Sequence, residues 1–321
     1  MGPILAVTAP FFALVLCGWL AARIRVLPEA AIPGLNAFVL YFALPCLLFR
    51  FGAGTPVLQT LNPSILLVYL LCQALMVAFT IAMTIGPEVP LKDAAFGALV
   101  AAFPNTGFMG VPLLVALLGS GAAGPAICTI VADLLATTTV CLALADAHDA
   151  GGQGWGPALR RIGMGVLKNP LPWAIVLGAG SSASGWQLLG PADTIVRMLA
   201  DAASPVALFT IGAVLWRAGR HAHTRTPVGR FLPVALYKLL LHPLLLLLLG
   251  AAARQLGVPL DDHALMVIVL VAALPSASNV AILAERYGAD SGRVARIILS
   301  STVLAFASFT ALAWVFGVQP R

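Results

Sequence analysis

Two short segments place proline, amide and hydroxyl groups inside long apolar runs. The first reads Phe103-Pro104-Asn105-Thr106-Gly107 and lies in the run from Lys92 to Gly119. The second reads Pro275-Ser276-Ala277-Ser278-Asn279 and lies in the run from Asp262 to Tyr287. Amide, hydroxyl and unpaired backbone N–H groups are hydrogen-bonding partners for a carboxylate. The candidate substrate-binding residues are those on the two segments: Pro104, Asn105, Thr106, Gly107, Pro275, Ser276, Ser278 and Asn279.

Proline at these positions interrupts a helix. Pro104 removes one backbone donor and clashes with the preceding turn, while Gly107 and Gly110 add backbone freedom. Broken backbone at the membrane centre persists only where protein buries it or where it lines a cavity. Either each proline kinks an ordinary span, or the two breaks form a binding site. Interruptions at corresponding positions of two halves favour the binding site.

Few ionisable residues lie within the apolar runs, where a charge is costly. Asp133 lies deepest; it is either a structural partner for Lys238 or for backbone freed at a break, or a site for a proton or cation. Asp201 lies four residues before Pro205 and either bonds the backbone freed by that proline or takes part in ion coupling. Lys238 and His242 share one helical face and either balance an anionic substrate or pair with a carboxylate.

The broken helices also indicate the charge of the ligand. Half-helix N-termini direct N–H groups and partial positive charge toward the membrane centre, which suits a carboxylate, and C-terminal ends offer carbonyls to a cation. We therefore expect a small organic anion as substrate, with optional coupling to a cation, either a proton or Na⁺. We expect Asn105 and Asn279 to lie opposite each other, as ligands of the substrate or of backbone freed by the prolines.

The composition is that of a membrane protein with many spans. Of 321 residues, 60% are hydrophobic and 9% are charged, which no soluble globular domain matches. The formal net charge is +6, and the basic residues lie in short loops between the apolar runs. They therefore predict the topology of the chain in the membrane rather than a nucleic-acid partner. The five cysteines have no metal-ligand spacing, and no nucleotide-binding loop is present, so we expect no cofactor. A cleaved signal peptide is not expected, because no basic region precedes the first apolar segment.

The apolar runs predict ten membrane spans in two sets of five. Because five is odd, the second set enters from the opposite side, which predicts two inverted repeats: 1–145 and 169–321, joined by a cytoplasmic linker, 146–168. Internal similarity supports the repeat, since the segment from Ala43 to Phe49 matches the segment from Ala203 to Phe209. The predicted spans are approximately Pro3–Ala22, Ala31–Phe51, Pro63–Ile85, Lys92–Gly119, Ala122–Ala145, Pro170–Gly185, Ala192–Trp216, Phe231–Ala253, Asp262–Tyr287 and Ala295–Phe316.

Loop charges predict the orientation. Most of the arginine and lysine residues in the loops and near the span ends lie on one side, which the positive-inside rule assigns to the cytoplasm. We therefore expect a multi-pass protein of the cell (inner) membrane with both termini outside. The residues on the cytoplasmic side are Arg23, Arg25, Lys92, Arg160, Arg161, Lys168, Arg217, Arg220, Arg225, Arg230, Arg286, Arg293 and Arg296, against Arg50, Arg197, Arg254 and Arg321 on the other.

The chain resembles the auxin efflux carrier family of transporters, within the wider group of bile-acid/sodium-symporter-like folds. The similarity is carried by the run from Phe103 to Leu113, by Pro275, Asn279 and the segment from Ala281 to Gly288, by Asn169-Pro170 and by the segment from Phe38 to Phe49. The resemblance implies ten spans in two inverted repeats, with spans 4 and 9 crossing at their prolines. It also implies a scaffold of spans 1, 2, 6 and 7 beside a transport domain of spans 3–5 and 8–10 that moves in elevator fashion.

The resemblance also implies an organic anion as substrate: auxin in the plant carriers, and malonate-like dicarboxylates as proposed for bacterial members. Asp133 departs from the uncharged residues of the plant pocket, which argues against auxin itself and favours coupling to a proton or cation. We expect a secondary transporter of a small organic anion, not an enzyme, in contact with membrane lipids and assembled as a homodimer. The alternatives are a passive channel and an intramembrane aspartyl protease, which would need Asp133 and Asp201 in one site.

Overall fold

The computed structural model describes residues 1–54, 61–149, 167, 169–221 and 226–319. The regular secondary structure of this part is helical and contains no strand, so the expected all-α membrane protein is confirmed at that level. Of the predicted linker 146–168, only 146–149 and 167 lie among the described residues. Helices are numbered by the predicted spans, with halves a and b where a span is broken: α1 Gly2–Arg23, α2 Glu29–Ala53, α3 Pro63–Thr84, α4a Leu91–Ala102, α4b Thr106–Leu118, α5 Ser120–Asp146, α6 Pro170–Ser184, α7 Pro191–His221, α8 Val228–Gln255, α9a Asp262–Ala272, α9b Val280–Arg286 and α10 Ser291–Val315.

Helix length separates these elements into two kinds. Within the described residues, seven helices are long and apolar enough to cross a membrane: α1, α2, α3, α5, α7, α8 and α10. The helix α6 and the four half-helices are shorter. At a rise of 1.5 Å per residue, α4a and α4b are about 18 and 20 Å long, so neither half alone spans the apolar core of a bilayer.

Local sequence sets where several helices begin. Asn62 and Asn169 each precede a proline, and the side chain of each accepts hydrogen bonds from the first turn of α3 and α6. Asp261 and Asp290 do the same at the starts of α9a and α10. A short polar side chain at this position satisfies N–H groups that have no intrahelical partner, and proline costs nothing in the first turn.

The two first half-helices form the centre of the molecule. Every residue from Ala94 to Ala102 in α4a is buried, and so is every residue from Val267 to Ala272 in α9a. The helices α3, α5 and α10 pack against α4a, and α3, α5 and α8 pack against α9a. The alanines of α4a permit this close packing because their small side chains let the backbones of neighbouring helices approach closely. The breaks therefore lie where protein, rather than lipid, surrounds them.

A second group of helices packs through glycine. An ideal Cβ on Gly18 of α1 would lie 1.8 Å from the carbonyl oxygen of Phe209 in α7. A Cβ on Gly178 of α6 would lie 2.6 Å from the carbonyl oxygen of Phe49 in α2. Gly178 follows Gly18 by 160 residues, and Phe209 follows Phe49 by the same 160 residues. The α1–α7 contact and the α6–α2 contact thus use pairs of residues that are related by one interval of 160 residues.

The glycine contact predicts a position-specific loss of stability. We expect Gly178→Ala to lower the free energy of unfolding by about 1 to 3 kcal/mol, because the methyl group would overlap the main chain of α2. Gly180 lies in the same helix with no atom within 4 Å of its ideal Cβ, so Gly180→Ala is the matched control and should be neutral or slightly stabilising. Thermal unfolding of the purified variants measures both. Equal melting temperatures for the two would contradict the close contact.

Candidate functional site

The breaks in α4 and α9 pair with each other through their main chains. The Asn105 N–H donates to the Pro275 carbonyl at 2.8 Å, and the Ala277 N–H donates to the Phe103 carbonyl at 3.0 Å. Between these bonds Pro104 and Ser276 face each other in an antiparallel bridge. Buried backbone groups need partners, and proline has removed the intrahelical ones. Each break therefore supplies the hydrogen bonds that the other has lost.

The N-terminus of α4b retains unused donors. The Thr106 N–H donates to the Pro104 carbonyl, whereas the Gly107 and Phe108 N–H groups find no backbone acceptor outside the helix among the described residues. The Thr106 hydroxyl is buried and has no hydrogen-bond partner in that part of the chain. The Asn105 side chain is buried and does not cap the helix. An ideal Cβ on Gly107 meets no atom within 4 Å, so free space adjoins these groups.

The second break is organised by α10. The Ser276 N–H donates to the Ser301 hydroxyl at 3.2 Å, and that hydroxyl donates to the Ser276 hydroxyl at 3.1 Å. Ser278 is buried in the same segment. Asn279 is partly exposed at the start of α9b, and its side chain does not cap that helix. Pro104 and Ser276 therefore face each other across the two breaks. Asn279 lies three residues beyond Ser276 in the chain.

Asp133 lies fully buried in α5 beside the first break. Its carboxylate accepts hydrogen bonds from the Tyr69 hydroxyl at 2.9 Å, the Gln73 amide at 2.6 Å and the Thr137 hydroxyl at 3.1 Å. Three donors stabilise a carboxylate away from water. The Gln73 amide nitrogen also donates to the Ala102 carbonyl, the last of α4a, at 2.9 Å. Gln73 therefore joins the carboxylate to the end of a half-helix.

Lys238 makes an equivalent link in the other half. Its ammonium group, fully buried in α8, donates to the carbonyl of Ala272, the last residue of α9a, at 2.6 Å, and contacts His242 Nδ1 at 3.1 Å. Lys238 interacts electrostatically with Asp133. The other ring nitrogen of His242 is buried and has no partner within the described residues. One side chain from α3 and one from α8 thus bind the carbonyl ends of the two half-helices.

Both charged residues lie in π-helical turns. Asp133 begins such a turn at Asp133–Thr137, and Lys238 lies in another at Tyr237–Leu241. A third π-helical turn, Thr106–Gly110, starts α4b. A π-helical turn widens the helix by one residue and is frequent at functional sites. The described residues contain a fourth π-helical turn, Val39–Ala43 in α2, so three of the four belong to the elements that carry the candidate site.

Asp201 lies apart from this cluster. Its side chain is 73% exposed on α7, and it forms an ion pair of 3.9 Å with Arg50 of α2. The structure therefore brings Asp133, Lys238 and His242 together but does not bring Asp201 to them. An aspartyl protease requires two carboxylates in one site. Around Asp133, the described part of the chain does not contain such a pair.

Tyr69 and Gln73 bind Asp133 but are not among the candidate site residues that the sequence predicts. Gln73 was recognisable as an amide inside the third apolar run, but nothing in the sequence connects it to Asp133. Tyr69 is an ordinary core residue by type and position. The sequence feature that relates Tyr69 to Gln73 is their spacing of four residues, which places both side chains on one helical face.

Comparison with known proteins identifies the class of the chain. A family model described as "Membrane transport protein" matches residues 3–152 and 159–314. The chain is 30% identical to a Rhizobium meliloti protein named "Putative malonate transporter" over 98% of this chain and 96% of that one.

Two further relatives carry less specific names. An "Uncharacterized transporter" from Methanothermobacter thermautotrophicus is 29% identical over 92% of each chain. The "Uncharacterized transporter YfdV" from Escherichia coli strain K12 is 28% identical over 70% of this chain and 68% of that protein. Each of these relatives is named as a transporter rather than an enzyme.

The hydrogen bonds of Asp133 predict a structural cost for its removal. Asp133→Leu strands buried donors on Tyr69 and Gln73, so we expect the free energy of unfolding to fall by at least about 2 kcal/mol. Asp201→Leu, which removes an exposed carboxylate, should change it by about 0.5 kcal/mol or less. Melting temperatures of the two purified variants make the comparison. A similar small change in both would show that the Asp133 hydrogen bonds contribute little.

Proposed function

The chain belongs to the membrane transport protein family, and from this premise we propose that it is a secondary transporter of a small organic anion coupled to protons. The observation that carries the proposal is the pairing of the two breaks, which leaves the N-terminus of α4b open, while a buried carboxylate, through Gln73, and a buried ammonium group are linked to the carbonyl ends of α4a and α9a. Transport, rather than enzymatic activity, agrees with the family and with the relatives. The expected resemblance to auxin efflux carriers is confirmed by the family match.

The anion is proposed to bind at the start of α4b. The Gly107 and Phe108 N–H groups, the Asn105 amide and the Thr106 hydroxyl are donors without partners within the described residues, and space is free next to Gly107. A helix N-terminus carries partial positive charge, so a carboxylate placed there gains hydrogen bonds and favourable electrostatic energy. Ser276, Ser278 and Asn279 from the second break complete the proposed site.

The proposed coupling group is Asp133. A buried carboxylate changes its charge by taking up a proton, and the electrostatic interaction with the buried Lys238 favours its charged form. The carbonyl end of α9a, where a metal cation would find ligands, is already occupied by the Lys238 ammonium group. This arrangement supports a proton over Na⁺ as the coupling ion.

The proposed architecture has ten spans in two inverted repeats. Support comes from the repeated contact at an interval of 160 residues: Gly18 with Phe209, and Gly178 with Phe49. The same interval relates Pro45 of α2 to Pro205 of α7. On this basis α4 and α9 each count as one span made of two half-helices. We propose the cell membrane as location and termini on the outside, as the loop charges predict.

The proposed movement carries helices α3–α5 and α8–α10 past α1, α2, α6 and α7. Side-chain bonds hold the first group together: Gln73 joins α3 to α4 and α5, Lys238 joins α8 to α9, and the buried Arg293 of α10 donates to the main-chain oxygens of Asp93 and Arg230. Between the groups, Thr8 and Thr310 are at 3.5 Å. Strong bonds within a group and weak bonds between groups favour movement as rigid bodies.

A short carboxylate is the substrate class that these groups fit. The name of the Rhizobium meliloti relative makes malonate the first compound to test, and an auxin-like monocarboxylate the comparison. A passive channel is the remaining alternative. Counterflow of labelled malonate driven by unlabelled malonate in liposomes distinguishes the two, because a channel does not exchange substrates across the membrane in this way.

Proton coupling predicts that Asp133→Asn loses pH-dependent transport. Asparagine is nearly isosteric and keeps an oxygen acceptor for Gln73, so the variant should fold, but it cannot take up a proton. We expect malonate uptake into liposomes to become insensitive to an imposed pH gradient. Asp201→Asn, measured alongside, should keep the response of the unmodified protein. Unchanged rates and pH response in Asp133→Asn would make Asp133 structural.

The proposed anion site predicts a loss of affinity in Asn105→Ala and a smaller loss in Asn279→Ala. Loss of a buried ligand weakens binding by roughly 1 to 3 kcal/mol, about five- to 150-fold. Neither side chain caps its helix, so melting temperatures without substrate should change little. Affinity for malonate and melting temperature are measured for each variant. Unchanged affinity in both variants would exclude the breaks from the binding site.

A further inference from the structure

Gln73 is the residue through which Asp133 contacts the first break. An amide nitrogen has two hydrogens, and Gln73 uses both, one for the Asp133 carboxylate at 2.6 Å and one for the Ala102 carbonyl at 2.9 Å. Its amide oxygen is buried and has no hydrogen-bond partner within the described residues. The side chain is therefore fixed by two acceptors, while its own acceptor is unused.

The other donors to Asp133 lack this second link. The Tyr69 hydroxyl bonds the carboxylate from the same helix as Gln73, and the Thr137 hydroxyl bonds it from the next turn of α5. Neither is bonded to main-chain atoms of the α4 break in the described part of the structure. Thr137 bonds the same carboxylate oxygen as Gln73, which makes it the matched comparison.

We propose that Gln73 is a positioning residue that transmits the protonation of Asp133 to the break in α4; the inference rests on the proposed proton coupling. The ionised carboxylate accepts hydrogen bonds, so Gln73 presents its nitrogen to Asp133 and to Ala102. When a proton from solvent water forms an O–H bond with the carboxylate, that group becomes a donor. The amide of Gln73 then turns its unused oxygen toward the new donor, and the Ala102 carbonyl loses its hydrogen bond.

The loss at Ala102 acts on the site because Ala102 is followed directly by the paired break. Phe103 and Asn105 make the two main-chain bonds to α9, and α4b begins at Thr106. A buried carbonyl without a donor is unfavourable, so the end of α4a must adjust. Protonation of a residue on α5 thereby changes the geometry of the proposed anion site on α4b.

Other titratable groups lie around Asp133, and their charges also affect how the break in α4 responds to pH. Tyr69 and Cys72 face it from α3, Cys141 lies on its own helix, and Lys238, with His242 beside it, faces it from α8. Among the contacts that the structure describes, Lys238 is the one group of this set that is bonded to the end of a half-helix. It binds the end of α9a rather than the end of α4a. The link from Asp133 to α4 thus depends on Gln73.

The test reports on the break without any ligand. Gly107→Cys introduces a thiol where an ideal Cβ meets no atom within 4 Å, in a background that lacks the exposed native Cys17. The rate of labelling by a water-soluble maleimide is measured from about pH 5 to pH 9. Each profile is divided by that of the same protein carrying Asp133→Asn, which removes the pH dependence of the thiol itself.

We expect the corrected labelling rate to change by about fivefold or more across this range in the parent, as the loss of one buried hydrogen bond predicts. Thr137→Val should displace the midpoint and keep the change. Gln73→Leu should abolish it, giving a ratio of one at every pH. Gln73→Asn, whose amide lies on a shorter stem that cannot reach both acceptors, should do the same and covers the case in which the leucine variant fails to fold.

Two results would overturn the inference. One is a pH response in both Gln73 variants equal to that of the parent. The other is a ratio of one in the parent, because the charge of Asp133 would then not reach the break. Malonate counterflow is measured separately in the unmodified protein, which keeps Gly107. Counterflow with a pH-independent break overturns the role of Gln73 alone, and a pH-dependent break without flux of any carboxylate overturns the proposed transport function instead.

Discussion

The hydrogen bonds between the two breaks are the interaction on which the rest of the structure depends. A bilayer offers no partners to unpaired backbone groups, so Pro104 and Pro275 are tolerated only because each broken segment pairs with the other. That pairing fixes α4 against α9 at the centre of the molecule. It explains why α4a and α9a are the most completely buried helices and why the longer helices surround them.

The pairing brings the carbonyl ends of α4a and α9a and the N-terminal end of α4b to the centre of the molecule, where the chain satisfies the two kinds of end differently. The carbonyl ends of α4a and α9a are bound by Gln73 and Lys238. The N-terminal end of α4b has donors without partners among the described residues and adjoins free space. Since bound ends are satisfied by the protein itself, the open end is where a ligand contributes most, and its partial positive charge is the physical basis of the proposed anion site.

A buried charge is costly unless hydrogen bonds and an opposite charge compensate it. Asp133 has three donors and lies in the field of Lys238, and these groups come from α3, α5 and α8. The compensation therefore joins helices from both halves of the chain. A change of charge at Asp133 would disturb those bonds together, which is the physical basis of the proton coupling proposed for Asp133.

The sequence by itself determined the membrane class, the two breaks, the helix starts and the residues whose charge is costly in an apolar run. These follow from composition and from the local chemistry of proline, glycine and capping residues such as Asn62 and Asp261. Only the tertiary structure decided which groups meet: that Asp133 bonds Tyr69 and Gln73, that Lys238 binds α9a, and that Asp201 lies exposed beside Arg50. The reason is that hydrogen-bond partners on different helices depend on the rotation and depth of each helix, which packing between helices sets and local sequence does not encode.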